Sequence, residues 1–146
     1  MQKLNFPNYS FKIKSKENKI LIFSLLRKKY LVLTPEEWVR QHCVHYLMSE
    51  KNISESLMSE ERQIDLHGIT KRYDLIAFKP DGKIKLIVEC KAPQVEITQD
   101  TFDQIARYNM ALDSDFLMIT NGLNHYFCQM NYEKETYTFL KDLPSM

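Results

Sequence analysis

The chain is poor in the residues that several large protein classes require. It has only three glycines. None of them opens a G-x-x-x-x-G-K-[ST] loop, which excludes a P-loop nucleotide motor. Its three cysteines, Cys43, Cys90 and Cys128, are far apart and odd in number. That argues against a disulfide framework and a zinc knuckle and for a reducing compartment, so a cytoplasmic location is expected. No run approaches the roughly 18 uncharged apolar residues of a membrane span, and no membrane association is expected. The first twenty residues carry five lysines and no apolar stretch, unlike a secretory signal.

What is present is ordinary in amount and uneven in placement. The chain has 146 residues, 44% hydrophobic and 27% charged, which fits one globular domain with its own core. Net charge is +1. Residues 1–30 hold eight Lys/Arg against one acid, Glu17, while the rest of the chain holds 12 basic and 18 acidic residues. A basic arm on an acidic body could track phosphates while the acids hold cations. A solvated lysine-rich hairpin explains the same pattern.

Patterning along the chain predicts its elements. Residues 9–14 alternate apolar and polar, Lys16-Glu17-Asn18 turns, and residues 19–23 return, which reads as a hairpin. Residues 30–33 read as a short apolar connection. Thr34-Pro35-Glu36-Glu37 starts a helix with a capping box, running to about Glu50. Val39, Cys43, Tyr46 and Leu47 form its apolar stripe. On that reading Glu36 begins the buried face and Glu37 lies nearer the flank, and a buried carboxylate needs a partner or a metal. Residues 56–64 read as an edge strand, His67-Gly68 as a turn, and 71–78 and 83–91 as strands joined at Pro80-Asp81-Gly82. A helix is predicted over 98–112, a buried strand over 116–120, and a last hairpin from 125–130 and 136–140. The order predicts an α/β fold with a mixed central sheet flanked by helices. Residues 1–30 form a basic hairpin extension and 31–140 the core of a single domain.

Asp74, Glu89 and Lys91 stand out. Glu89 and Lys91 are two apart on one strand and leave the same face. A hairpin pivoting between Asp81 and Gly82 pairs Phe78 with Lys85, Ile76 with Ile87 and Asp74 with Glu89, setting the two carboxylates about 4.5–5.5 Å apart at Cβ. Facing carboxylates repel unless a divalent cation lies between them, and hard oxygen ligands suit Mg²⁺ or Mn²⁺. Lys91 could then polarise a water or hold a phosphate. A three-residue loop with a bulge would instead place the two acids on opposite faces unless a second bulge compensates. A solvated cross-strand ion-pair cluster is the other reading. The four histidines, His42, His45, His67 and His125, are scattered and form no zinc set. Trp38 is expected in the core, covering the first helix.

Asp74, a turn, a strand and Glu89-Cys90-Lys91 together resemble the Asp…(Asp/Glu)-x-Lys signature of the restriction-endonuclease-like, or PD-(D/E)XK, nuclease superfamily. Thr34-Pro35-Glu36-Glu37-Trp38-Val39-Arg40-Gln41 resembles the helix motif of the family related to the N-terminal domain of type I restriction enzyme R subunits. Lys71-Arg72-Tyr73-Asp74 and Ile87-Val88-Glu89-Cys90-Lys91-Ala92-Pro93 are similar to its strand motifs. Gln104-Ile-Ala-Arg-Tyr108 resembles the Gln-x-x-x-Tyr motif of this group and of RecB-type nucleases, and Ile119-Thr120-Asn121-Gly122 its strand end. The resemblance spans roughly residues 20–140.

The resemblance implies a restriction-endonuclease-like fold and a metal-dependent DNA endonuclease of restriction or DNA-processing type. Asp74 and Glu89 would bind Mg²⁺ or Mn²⁺, with Glu36 completing the set and Glu37 its rival. Lys91 would assist the water or the transition state. Gln104 and Tyr108 would position the phosphate or Lys91, and Arg40 would pair with Glu36. No motor is encoded here, so the chain would be a nuclease module, free-standing, dimeric, or working with a separately encoded motor or specificity partner. The competing class is a catalytically silent binding or assembly subunit that keeps the fold.

Overall fold

The computed structural model describes residues 1–66 and 68–145, with the side chains of Leu66 and Ile69 left aside. His67, expected in a turn, lies outside the described residues. Among the described residues, nine strands form two sheets, one of three strands and one of six, with two α-helices.

The small sheet comes first. β1 (Ile13–Lys16), β2 (Lys19–Ser24) and β3 (Lys29–Val32) are antiparallel in chain order. The expected hairpin is therefore extended. Residues 29–32 are a third strand rather than a connection, pairing Phe23 with Tyr30 and Leu21 with Val32. β1 is also shorter than the alternation implied. Tyr9 and Phe11 instead pack their rings over Trp38, His42 and His45 of the first helix.

α1 (Pro35–Glu50) begins as expected, with Thr34 accepting a hydrogen bond from the Glu37 N–H and Pro35 in the first turn. The side chain of Glu37 does not return to the cap. It turns inward to Arg40 and Gln41 instead. Val39, Cys43 and Leu47 are buried as predicted, while Tyr46 is only half-buried. A second buried line, Glu37, Gln41 and Val44, runs beside them. The reason is that Glu60 of the large sheet and Ser24 of the small one close over this side, while the N-terminal segment covers Trp38, His42 and His45. Trp38 is half-buried under that segment and donates to the Gln2 carbonyl at 2.7 Å.

The large sheet runs β4 (Met58–Leu66), β5 (Ile69–Phe78), β6 (Ile84–Cys90), β7 (Phe116–Thr120), β8 (His125–Asn131), β9 (Thr136–Leu140) in spatial order. Residues 58–66 thus form an edge strand, as expected. Every neighbouring pair is antiparallel except β6–β7, which is parallel. That pair needs a crossover, supplied by α2 (Gln99–Asn109), capped by Thr98. α1 packs with Leu75, Leu86, Val88 and Met118 on one face, and α2 packs with Ile76, Ile87, Leu117 and Ile119 on the other. Alternate residues of β6 and β7 therefore feed two cores, which explains their unbroken apolar runs.

The N-terminal segment is fastened to the turn after β7. Asn5 N–H donates to the Gly122 carbonyl at 2.8 Å. Gly122 has φ +87°, and a Cβ there would come within 2.9 Å of Leu4. The turn thus needs glycine twice, for its backbone conformation and for this close approach.

The β5–β6 hairpin combines both registers considered from sequence. Phe78 pairs with Ile84, not Lys85, with an irregularity between Ala77 and Phe78. That irregularity absorbs the asymmetric turn. Ile76 with Ile87 and Leu75 with Val88 pair as the symmetric register predicted.

Candidate active site

The backbone ladder between β5 and β6 stops at Leu75 and Val88, one pair short of Asp74 and Glu89. Strict alternation also fails here. Tyr73 packs in the core on the α2 side and Leu75 in the core on the α1 side. Asp74 lies at this break, and its carboxylate takes over the lost bonding. Asp74 Oδ2 accepts the Cys90 N–H at 2.8 Å, and Oδ1 faces Arg40 at 3.0 Å. A local irregularity thus brings an acid on β5 to the end of β6.

Arg40 organises the α1 side. Its guanidinium reaches four carboxylates: Glu37 at 2.7 Å, Glu61 at 2.7 Å, Asp74 at 3.0 Å and Glu36 at 3.1 Å. Burial alone would lower its pKa, but the charges of Glu37 and Asp74 outweigh burial and raise it. Arg40 is therefore a permanent cation among acids. Its pairing with Glu36 was expected; its contacts with Glu37, Glu61 and Asp74 were not.

The two helix glutamates exchange the places assigned from sequence. Glu37 is the buried one, 7% exposed, and Glu36 keeps 47% of its side chain exposed. The single-stripe reading of α1 failed because the helix buries two lines of residues. Glu36 is the freer carboxylate, partly open and facing the site. Its carboxyl is raised by burial and by Asp74, with Arg40 and Lys91 pulling it down.

Glu89 faces a different cation. Lys71 Nζ lies 3.2 Å from Glu89 Oε1. The same ammonium sits 4.6 Å from the Tyr73 ring centroid and 3.9 Å from that of Tyr108 on α2. Burial pushes the Glu89 carboxyl above the usual carboxylate range. Lys71 pulls it down, and Asp74 pushes it up through charge and a hydrogen bond.

Lys91 follows β6 directly, its N–H bonded to the Thr120 carbonyl at 2.8 Å. Its ammonium is in no ion pair among the described residues, yet its charge is felt at Glu36. Tyr108 is brought in through Lys71. Gln104, one turn earlier on α2, is exposed and hydrogen-bonds no other site residue among those described. A buried relay completes the site. Gln41 donates to Glu37 at 2.9 Å and to Glu60 at 3.2 Å, and the Ser24 hydroxyl donates to Glu60.

Sequence reasoning missed three of these residues. Glu61 and Glu60 sat in a strand read only as an edge. Lys71 was quoted within a motif without a role. The available signal was charge: β4 and the start of β5 place Glu60, Glu61 and Lys71 among residues that must pair across strands.

The donor set can be tested against a metal. Among the described residues, no three Asp, Glu, His or Cys side chains converge as a ready-made metal site. Arg40 and Lys71 supply the positive charge there. The chemistry of the donors nonetheless suits a hard cation. Asp74 and Glu89 are hydrogen-bonded carboxyls, Glu36 is partly free, and Gln41 Oε1 is buried with no hydrogen-bond partner among the described residues.

The family described as Type I restriction enzyme R protein N terminus (HSDR_N) matches residues 35–144, which span both helices and every acid of the site. The chain belongs to that family. A similar solved structure is a fragment assigned as an HsdR subunit of a type I restriction enzyme from Vibrio vulnificus YJ016. It is 20% identical with a TM-score of 0.51, the match covering 77% of this chain and 24% of that one. The likeness is one of fold, and the chain spans about a quarter of that structure's length. No curated protein matches the chain. No helix among the described residues is long and apolar enough to cross a membrane.

Proposed function

We propose that the chain is a metal-dependent DNA nuclease module of the PD-(D/E)XK kind, hydrolysing phosphodiester bonds in a restriction or DNA-processing setting. The observation that carries this reading is the meeting of Asp74 and Glu89 where the β5–β6 ladder ends, with Lys91 immediately after β6. Asp74, Glu89 and Glu36 would hold Mg²⁺ or Mn²⁺, which when bound activates water and neutralises phosphate oxygens. Lys91 places an unpaired ammonium where negative charge would develop on the phosphate. Tyr108 holds the Lys71 ammonium against Glu89 and so positions that carboxylate. Arg40 gathers Glu36, Glu37, Glu61 and Asp74. The solved relative is described as part of an R subunit. With the family match, that likeness supports a module that works with the other components of a type I restriction system, or pairs with a second copy.

A second reading rests on Arg40 and Lys71. Cations already neutralise the acids, which is what a silent assembly subunit would retain. Cleavage separates the two readings. Supercoiled plasmid and single-stranded DNA are incubated with Mg²⁺ or Mn²⁺ and wild type, Glu89→Ala or Lys91→Ala, with EDTA as control. Metal-dependent nicking by wild type alone is expected. Equal cutting by all three proteins, or none by wild type, would favour the silent subunit.

A further inference from the structure

We propose that the outward face of β1–β3 is a binding surface for the phosphodiester backbone of nucleic acid. The inference rests on the proposed nuclease reading for its choice of partner, and its own support is geometric. In β2, Ile22 and Ser24 are buried, so the alternate residues Leu21 and Phe23 face outward. The register sets Lys14 beside Leu21, Lys16 beside Lys19, and Tyr30 beside Phe23 on that same face. The two rings meet edge-on, 5.2 Å between centroids. Lys14 Nζ stands 4.0 Å over Tyr30 and Lys12 Nζ 5.3 Å over Phe23. Lys12, Lys14, Lys16 and Lys19 are all exposed, and none is in an ion pair among the described residues.

This is more than a solvated lysine run. The rings hold two ammonium groups by cation–π contact and cover their stems, which lowers the entropy lost when a phosphate is gripped. The one acid in residues 1–30 is Glu17, at the turn between β1 and β2. The opposite, buried face of the small sheet is tied to the acids. Ser24, at the end of β2, donates to Glu60, and Gln41 links Glu60 to Glu37, which holds Arg40. A charge-dense polyanion of regular spacing fits four cations on one face better than a compact anion.

Binding is read by fluorescence anisotropy with a labelled 20-base-pair duplex in EDTA, so that binding is seen apart from cleavage. The variant K12E/K14E/K16E/K19E should bind at least tenfold more weakly. Its slope of log affinity against log salt should fall by about 3–4, since each phosphate that a lysine neutralises adds about 0.9 to that slope. Because Lys12 and Lys14 pack on rings, K16A/K19A at the hairpin tip serves as the milder variant, with a slope lower by about 1.8. K83E/K134E, on exposed lysines elsewhere, should bind as wild type. The proposal is overturned if the lysine variants keep the wild-type slope, if K83E/K134E weakens binding equally, or if polyglutamate at equal charge competes as well as DNA. The two readings fail separately. Glu89→Gln should lose cleavage and keep binding. Weakened binding by K16A/K19A in a protein that never cuts would sustain the surface and sink the nuclease.

Discussion

The two helices face opposite sides of one sheet and are built in opposite ways. α2 follows the amphipathic rule. Phe102 and Ala106 face the core while Gln104, Arg107 and Tyr108 stay exposed. α1 breaks the rule by burying Glu37, Arg40 and Gln41 alongside Val39, Val44 and Leu47. A helix that only stabilised the fold would fill those positions with apolar residues, since a buried ion pair is weak support for stability. The contrast agrees with the proposed site. α2 closes the parallel β6–β7 crossover, whereas α1 gives up part of its packing to hold acids at the end of the β5–β6 ladder.

The largest effect should come from removing one arginine from each helix. Arg40→Ala leaves buried Glu37 and part-buried Asp74 without their cation and should cost about 3–5 kcal/mol in urea unfolding. Arg107→Ala, on the exposed face of α2, should stay within about 0.5 kcal/mol. Equal losses would remove the distinction between the helices.

The next test lies inside α1. Glu37→Gln removes the charge from a buried carboxylate bonded to Arg40 and Gln41 and should cost about 1.5–3 kcal/mol. Glu36→Gln, half exposed, should cost less than about 1 kcal/mol. The reverse order would restore Glu36 as the buried acid.

A third test uses pH. Burial raises the Glu60 carboxyl above its usual range. The folded state then holds that proton more tightly than the unfolded chain. This contribution stabilises the fold on acidification and is lost as pH rises through the folded pKa. His42, His45 and His125 have pKa values lowered chiefly by burial and act with the opposite sign below about pH 6.5. Comparing wild type with Glu60→Gln cancels the histidines. The stability advantage of Glu60→Gln over wild type should grow as pH rises from about 4.3, the ordinary carboxylate value, toward neutral. A constant difference would mean that Glu60 does not titrate in that window.

The smallest effect should be shared. Thr34→Ala and Thr98→Ala each remove an N-cap that accepts one backbone N–H, and each should cost about 1 kcal/mol by thermal melting. At their N-caps the two helices are ordinary and alike.

Most of the fold was legible because its signals are local. Thr34-Pro35 and Thr98 announce the helices, Pro80-Asp81-Gly82 the hairpin, and the apolar runs at 86–88 and 116–119 the doubly covered strands. The third strand, Lys29–Val32, was not legible, since four residues carry too little alternation to separate a strand from a link. Glu36 and Glu37 were exchanged because Glu60 of β4 and Ser24 of β2 close over the Glu37–Gln41 side of α1, a tertiary contact no helical period reveals. Asp74 and Glu89 were singled out by charge, a symmetric register and the family resemblance; that register holds from Ala77–Leu86 to Leu75–Val88, because the irregularity at Phe78 compensates the turn, and the ladder ends before the pair itself. Glu61 and Lys71 went unassigned because their partners, Arg40 and Glu89, lie far away in sequence.

The decisive experiment is calorimetric titration of Mn²⁺ into wild type, Asp74→Asn and Glu89→Gln, each first shown to be folded by circular dichroism. One saturable binding event is expected in wild type, at least tenfold weaker in both variants. Binding that is unchanged in both variants, or absent from wild type, would contradict a metal site at the end of the β5–β6 ladder.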